Sequence, residues 1–493
     1  LRSSGPQLPF LGSQSASLQQ AAAAFQEGRS EAAEALCREL LSVRPSNGEA
    51  LFLLGVIANK AGRNAESVQW LRRAAEVQPA SVRLFSALGG ACRATGDLQQ
   101  AGVYFTRCIQ MDPKCAPAYF QLGNVCHSLR EEPRAARLYR RATELDPQNF
   151  KAWNNLANTL RGLSQLDAAL EAYDHALRLE PDSAVTRCNR ALALLSAGRL
   201  DEGFREFEWR WQALNLRNYP QPRWNGEPAD NKTVLVFAEQ GLGDTIQFVR
   251  YLRLVRQRAG RVIFECQREL RSLVQGSGCA DVVVEAGESL PEFDYYTSLL
   301  SLPALFGTTL GSVPDQIPYL TAPDTIASSE KAFRRLKVGL VWSGNPAFGD
   351  DALRSVPLAE LQPVLNTPGV SFLRLQRNVR PEDEEALKTA PLLKIDQVFG
   401  DLGHAAAAIN QLDLVISVDT AVAHLAGALG KRVWLLLRYS PDWRWLSNRA
   451  DSPWYPTMRL FRQVQPGEWK SPVAEIAARL GCLASRSDQG AQD

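Results

Sequence analysis

Three short stretches place acids, an arginine and a histidine beside backbone amides that a strand-to-helix turn would expose. The first is "AEQGLGD", residues 238–244. Gln240, Gly241 and Gly243 read as a tight turn, with glycine supplying positive φ at no steric cost. Asp244 then opens a helix. As its N-cap it would satisfy orphan backbone donors. From the floor of a cleft, its carboxylate could also accept a proton from an incoming hydroxyl. The stretch is not a dinucleotide fingerprint, because the third glycine and the acidic residue about 20 positions on are missing.

The second stretch is "VWSGNPAFGDDALRSVPL", residues 341–358. A strand ends at Ser343, Gly344 and Asn345, and Arg354 follows in a polar loop. The guanidinium fork could clamp a diphosphate, or the side chain could simply be solvated. The third is "LVISVDTAVAHLAGALGKRVW", residues 414–434. Its strand ends at Asp419. Thr420 and Ala421 then begin an alanine-rich helix whose open amides, with the Thr420 hydroxyl, make an anion site. His424, four residues on, shares that face.

These stretches need a scaffold that brings strand ends together. From Thr233 onward, short apolar strands alternate with helices: "TVLVFAE", "RVIFECQ" and "DVVVEA", then "KVGLVWSG", "SFLRLQ", "LLKID", "LDLVISVD" and "KRVWLLL". Such alternation predicts parallel sheets covered on both faces. Two series imply two Rossmann-like lobes, over residues 233–325 and 335–482. Ligands of such folds bind beyond the carboxyl ends of the strands, so the cleft between the lobes is the expected site. Residues 483–493 read as a flexible tail.

The preceding segment follows a different rule. Pro45, Pro79, Pro113, Pro147 and Pro181 recur every 34 residues, the period of a tetratricopeptide unit. Gly55, Gly89, Gly123, Ala157 and Ala191 keep the same step, as do Phe105, Tyr139, Tyr173 and Phe207. The small column lets two helices approach, and the aromatic column is expected to fill the gap to the next unit. Residues 16–215 therefore read as a repeat array, with a superhelical groove suited to a peptide or protein. Asn124 and Asn158 share one position and could hold a peptide backbone. His127 and His175 read as ordinary surface positions. Pro220, Pro222, Gly226 and Pro228 break the helical pattern, so residues 216–232 read as a hinge that Trp209, Trp211 and Trp224 seal.

Composition excludes several classes. Lys+Arg of 55 against Asp+Glu of 53 leaves a formal charge of +2, which favours neither a nucleic-acid nor a membrane-surface partner. No apolar run approaches the roughly 20 residues that span a bilayer. Residues 1–15 lack the apolar stretch of a signal peptide and read as disordered or artificially appended. The nine cysteines show no CxxC pair. Cys92 and Cys126 occupy equivalent repeat positions and read as buried thiols, so a reducing, cytoplasmic setting is expected.

"GLGDTIQFVRY" together with "SVDTAVAHLAGALGKRVW" resembles glycosyltransferase family 9, the heptosyltransferase-like group with the GT-B fold. "SPDWRWL" and "DSPWYPTMRLFRQ" resemble a subgroup in which that transferase follows tetratricopeptide repeats. The implied architecture is α + α/β, a repeat superhelix followed by two Rossmann-like lobes. The resemblance implies a nucleotide-sugar donor, a hydroxyl acceptor and an inverting outcome. It casts Asp244 as the base and places the donor phosphates at Asp419, Thr420 and Ala421, with His424 beside them. Arg354 stands approximately where the family often has a lysine. Gln376 would meet the donor base or ribose, and Trp443 and Trp445 would line the donor side or pack. Related arrays on protein O-glycosyltransferases use asparagines to hold acceptor peptides, a role that maps to Asn124 and Asn158. No metal or other cofactor is expected; "GDD" at 349–351 lacks the spacer of a metal-binding DxD. Partners would be a nucleotide sugar, an acceptor protein and a second copy of the chain. A lipid or saccharide acceptor, with the repeats serving assembly, and a non-catalytic scaffold are the rival readings.

Overall fold

A computed structural model describes residues 16–323, 336–347, 349, 351–394 and 401–489. The segment 1–15 lies outside that set. The chain divides into two compact units between Asp182 and Ser183.

The first unit is helical. Five pairs follow one another: α1 (Ala16–Gln26) with α2 (Ser30–Val43), α3 (Gly48–Lys60) with α4 (Asn64–Val77), α5 (Val82–Ala94) with α6 (Leu98–Met111), α7 (Ala116–Ser128) with α8 (Glu132–Leu145), and α9 (Phe150–Gly162) with α10 (Leu166–Leu179). Each second helix stops two residues before its proline, because proline drives the preceding residue out of helical geometry. Asn47, Ser81 and Asn149 cap the helices that follow them, accepting from backbone N–H groups at 3.0–3.2 Å. A Cβ built on Gly55 would meet Leu71 at 2.5 Å, on Gly89 Phe105 at 2.8 Å, and on Gly123 Tyr139 at 2.7 Å. The aromatic column packs on the glycine of its own repeat, and the Tyr139 hydroxyl also reaches Asn155 of the next one. Cys92 and Cys126 are buried, and burial raises both thiols, Cys126 to about 11.

The second unit begins with α11 (Ala184–Ser196), α12 (Leu200–Phe207) and α13 (Arg210–Ala213). The segment read as a hinge, 216–232, thus lies well inside this unit. The reason is packing. Leu195, Phe204 and Phe207 belong to the same buried core as Val234, Phe248 and Trp443, and Phe204 meets Trp443 edge-on at 5.5 Å. Trp211 packs against Phe237 and Trp224 against Phe306, both contacts lying inside this second unit.

The first lobe holds strands β1 (Ala229–Phe237), β2 (Ala259–Cys266), β3 (Val282–Glu285) and β4 (Tyr295–Ser298) in the order β3-β2-β1-β4. Its helices are α14 (Leu242–Phe248), α15 (Leu252–Arg256), α16 (Arg271–Gly276) and α17 (Leu302–Leu305). The second lobe holds β5 (Leu336–Val341), β6 (Val370–Arg374), β7 (Leu392–Leu393), β8 (Leu414–Val418), β9 (Val433–Leu437) and β10 (Met458–Arg462), ordered β10-β9-β8-β5-β6-β7. Its helices are α18 (Asp351–Arg354), α19 (Gln362–Leu365), α20 (Glu384–Thr389), α21 (Leu402–Asn410), α22 (Ala421–Ala428) and α23 (Lys470–Gln489). Every pairing between these strands is parallel, as a GT-B pair of lobes requires. β8 is buried at all five positions, which explains its unbroken apolar run. Strands β4 and β10 escape sequence reading. "YYTS" lacks an aliphatic run, and "MRLFR" carries two arginines. Helix α23 reaches Gln489, seven residues into the segment expected to be a tail.

Candidate functional site

Strand β1 delivers the first wall. The chain turns at Gln240, which itself takes the positive φ of 64° expected of the glycines. The Gln267 amide donates to the Gln240 carbonyl at 3.2 Å and so holds the turn. Gly241 is the N-cap of α14, and Asp244 is its third helical residue. Asp244 is therefore not the N-cap. Its Oδ2 instead accepts from the Gly241 N–H at 2.9 Å, the returning half of a capping box. Gly243 has a separate reason to be glycine. A Cβ there would lie 3.1 Å from His424 Cδ2 and 3.8 Å from Ala421 Cα, in the opposite lobe.

Strands β5, β6 and β8 deliver the second wall. After β8, Thr420 is the N-cap of α22, but its side chain makes no capping bond. The hydroxyl meets Ser417 Oγ at 3.2 Å instead. Among the described residues, the first amides of α22 have no side-chain partner. After β5, a Cβ on Gly344 would lie 2.1 Å from Asp351 Oδ1 and 2.6 Å from an Arg354 terminal nitrogen, so a side chain there would displace that pair. Arg354 donates from Nε to Asp351 Oδ1 at 2.9 Å, and Arg380 holds the other Asp351 oxygen. In "GDD", Asp350 lies outside the described residues, and Asp351 is buried and committed to these arginines. Gln376 is likewise committed. Its Oε1 accepts from the Trp342 and Ser343 N–H groups at 3.1 and 3.0 Å, and its amide donates to the Asn378 carbonyl at 2.9 Å. These bonds strap the end of β5 in place and use one of the two amide hydrogens. The Ser343 hydroxyl, by contrast, is buried without a partner among the described residues.

Together these walls enclose a cleft of about 940 Å³. Gln240, Gly241, Gly243, Asp244, Ser343, Gly344, Asn345, Arg354, Gln376, Asp419, Thr420, Ala421 and His424 all line it. Trp443 and Trp445 do not. Trp443 packs beside Phe248 and Trp454, and Trp445 stacks on His424 with ring centres 5.2 Å apart. The asparagines Asn124 and Asn158 belong to the first unit. Tyr139 donates its hydroxyl to Asn124 Oδ1 at 2.8 Å, and Tyr173 to Asn158 Oδ1 at 2.6 Å.

The charge at the cleft floor is organised by residues that the motif reading passed over. Arg444 is 8 % exposed. It pairs with Asp244 of the opposite lobe, bonds Asp442 at 2.7 Å, and donates from Nε to Gln247 at 2.7 Å. Its cation also lies 4.5 Å from the Trp443 ring centre. Burial works against the Arg444 charge, but the Asp442 and Asp244 carboxylates outweigh it and raise the group further. Burial would also raise Asp442, yet Arg444 holds it below the ordinary carboxylate value. Asp419 has no such clamp. Burial first, then the Asp442 charge, raise it to about 6. Burial and the Arg444 charge press His424 down to about 3, so its ring is neutral. His424 Nδ1 bonds the Tyr455 hydroxyl at 2.9 Å, while Nε2 stands 3.8 Å from Asp419. The backbone that presents Arg444 is strained: Leu446 has φ 53° and ψ −177°, a region otherwise left to glycine. "SPDWRWL" could have disclosed Asp442 and Arg444, since an Asp-x-Arg pair follows a strand end. Exposed Arg377, after β6, also lines the cleft and forms no ion pair among the described residues.

Residues 359–472 match glycosyltransferase family 9 (heptosyltransferase). Residues 18–82, 87–150 and 138–171 match tetratricopeptide repeats. The chain joins tetratricopeptide repeats to a glycosyltransferase family 9 domain. The family match covers β6 to β10 and so includes Asp419, Thr420, His424 and Arg444. The wall with Asp244 precedes it. The family 9 domain supports glycosyltransferase activity in general. A curated relative, protein FlbA of Caulobacter vibrioides, is 28% identical over 324 residues, 59% of this chain and 54% of that protein. The chain thus spans about half the length of the relative it matches. Solved structures similar to the repeats include MamA (23% identity, TM-score 0.32, 34% of this chain and 96% of that one). YrrB, described as a TPR protein with an unusual peptide-binding site, has 21% identity, a TM-score of 0.32, and 34% and 88% coverage. PilF of Pseudomonas aeruginosa has 16% identity, a TM-score of 0.38, and 41% and 92% coverage. No described helix is long and apolar enough to cross a membrane.

Proposed function

We propose that the chain transfers a sugar from a nucleotide-sugar donor to a hydroxyl group of a protein held by the repeats. One observation carries this reading: a carboxylate on one wall of the cleft faces an uncapped helix start on the other. The diphosphate would lie against the first amides of α22, with the Thr420 and Ser343 hydroxyls and the Arg354 and Arg377 guanidinium groups around it. Asp244 would face the acceptor hydroxyl. Each of its oxygens already accepts one bond, but a carboxylate offers about four lone-pair sites, so room remains for one more. The acceptor oxygen bonds the anomeric carbon as the carbon–phosphate-oxygen bond breaks. The hydroxyl proton passes to Asp244, and the electron pair leaves with the nucleoside diphosphate. Base and leaving group on opposite walls favour a single displacement with inversion.

Arginines and helix amides meet the leaving charge in this reading, so no metal is required. Asn124 and Asn158, with their oxygens taken by tyrosines, would present N–H groups to the backbone of the acceptor.

The test is transfer from a panel of nucleotide sugars, with and without EDTA. Asp244→Asn keeps the shape of the turn and removes the base. It should lower kcat by roughly 10²–10⁴-fold while nucleotide affinity holds. Unchanged kcat in that variant would remove Asp244 as the base, and loss of activity in EDTA would overturn the metal-free mechanism.

A further inference from the structure

The two helices of each repeat differ in charge. The second helices α2, α4, α6, α8 and α10 carry ten carboxylates and nine Lys or Arg. The first helices α1, α3, α5, α7 and α9 carry Lys60, Arg83, Arg93, Lys151 and Arg161, with His127, against a single acid, Glu49. Arg83 neutralises that acid at 3.0 Å. Lys60, Arg93 and Lys151 are exposed and form no ion pair among the described residues.

Helix stability does not account for the pattern. Bases at a helix carboxyl end favour the macrodipole, which covers Lys60, Arg93 and Arg161. Arg83 and Lys151 stand at second positions, where the same dipole disfavours a base. The basic positions are also joined to amides. Asn155 donates to Asn124 of the preceding repeat at 3.0 Å. The Arg93 charge reaches the Tyr139 hydroxyl, which bonds Asn124. Arg161 bonds the Tyr173 hydroxyl, which bonds Asn158. A strip of amides that can pair with an extended backbone is thus flanked by positive charge on successive repeats.

We infer that the first-helix face of the array docks an acidic peptide segment. The amides take the backbone of that segment, and the bases take its carboxylates. The inference deepens the proposed function by giving the captured acceptor a charge, and it rests on that reading only for the peptide's being a substrate.

Fluorescence anisotropy on the full chain tests it. The probes are a labelled peptide of alternating Glu and Ser, its Lys and Ser counterpart, and oligothymidylate. The acidic peptide should bind, and binding should fade as salt shortens the screening length from about 30 Å towards about 3 Å. Arg93→Glu with Lys151→Glu should weaken it by at least about tenfold. Arg72→Glu with Arg137→Glu, on second helices, should leave it unchanged. If the first pair melts early by circular dichroism, Arg93→Gln with Lys151→Gln replaces it and should still weaken binding several-fold. Equal loss in both pairs, equal binding of the Lys and Ser peptide, or tighter binding of oligothymidylate overturns the inference. Sugar transfer on the same preparation separates the two claims. Peptide binding without any transfer leaves the docking face and removes the transferase reading. Transfer without acidic preference removes the docking face alone.

Discussion

Helices α14 and α22 both start where a parallel strand ends, and the first residues of both line the cleft. They treat their amino termini in opposite ways. In α14 the third residue is Asp244, which turns back to the Gly241 N–H and brings its own negative charge to the positive helix end. In α22 the first turn has no acid, and Thr420 turns its hydroxyl away to Ser417. One helix start is satisfied from within, and the other has no side-chain cap among the described residues. Under the proposed function, the same local motif would give one wall for the acceptor proton and one for the phosphate. Arg444 belongs to the second wall but bonds the acid of the first.

Removing Arg444 should break this contrast most strongly. Arg444→Met leaves Asp244 and Asp442 facing each other without a cation, and losing one partner of a buried pair costs about 3 kcal/mol or more. Denaturant unfolding should show that loss, with Arg444→Lys in between; an unchanged midpoint would mean that the inter-lobe pair contributes nothing. Next comes the phosphate wall. Thr420→Val removes a hydroxyl that would turn from Ser417 to the phosphate, and should weaken nucleoside diphosphate binding by about tenfold, the weight of roughly one charge-assisted hydrogen bond. Asp244→Asn should leave that affinity within about twofold. Calorimetry that found the reverse order would exchange the roles of the two walls.

The smallest effect concerns pH. Asp419 is neutral below about 6 and anionic above it, and it adjoins the start of α22. Diphosphate affinity should therefore fall several-fold between about pH 5 and about pH 7.5, as a neighbouring negative charge appears. Asp419→Asn should flatten that slope. His424, pressed to about 3, stays neutral throughout, so a slope that survives in Asp419→Asn and vanishes in a His424 variant would reassign the titration.

The repeat array was legible because its constraints are local and recur. Proline two residues past each second helix and a glycine or alanine in the small-residue column leave a mark every 34 residues. The strand ends were legible for a similar reason, since an apolar run followed by Gly, Asp or Thr is a local signal. That was enough to name Asp244, Ser343, Thr420 and His424 as neighbours in one cleft. It was not enough to see how they are held. Gln376 lines the cleft and also straps the end of β5, a tie that no local pattern shows. Arg444 sits between Trp443 and Trp445, and the resemblance gave a role to those two alone. The hinge was misplaced because α12, which continues the repeat pattern, belongs to the second unit and buries Phe204 among its aromatic residues, and periodicity carries no information about that choice.

By itself, the sequence determined the repeat period, the parallel lobes and the residues at the strand ends, because each follows from short-range sterics and burial along one segment. Only the tertiary structure decided that Asp244 meets Arg444 across 200 positions of chain, that Gly243 makes room for His424, and that Asp419 titrates near neutrality while His424 does not. Those properties depend on distances between segments and on the water that their packing excludes, and no local pattern records either.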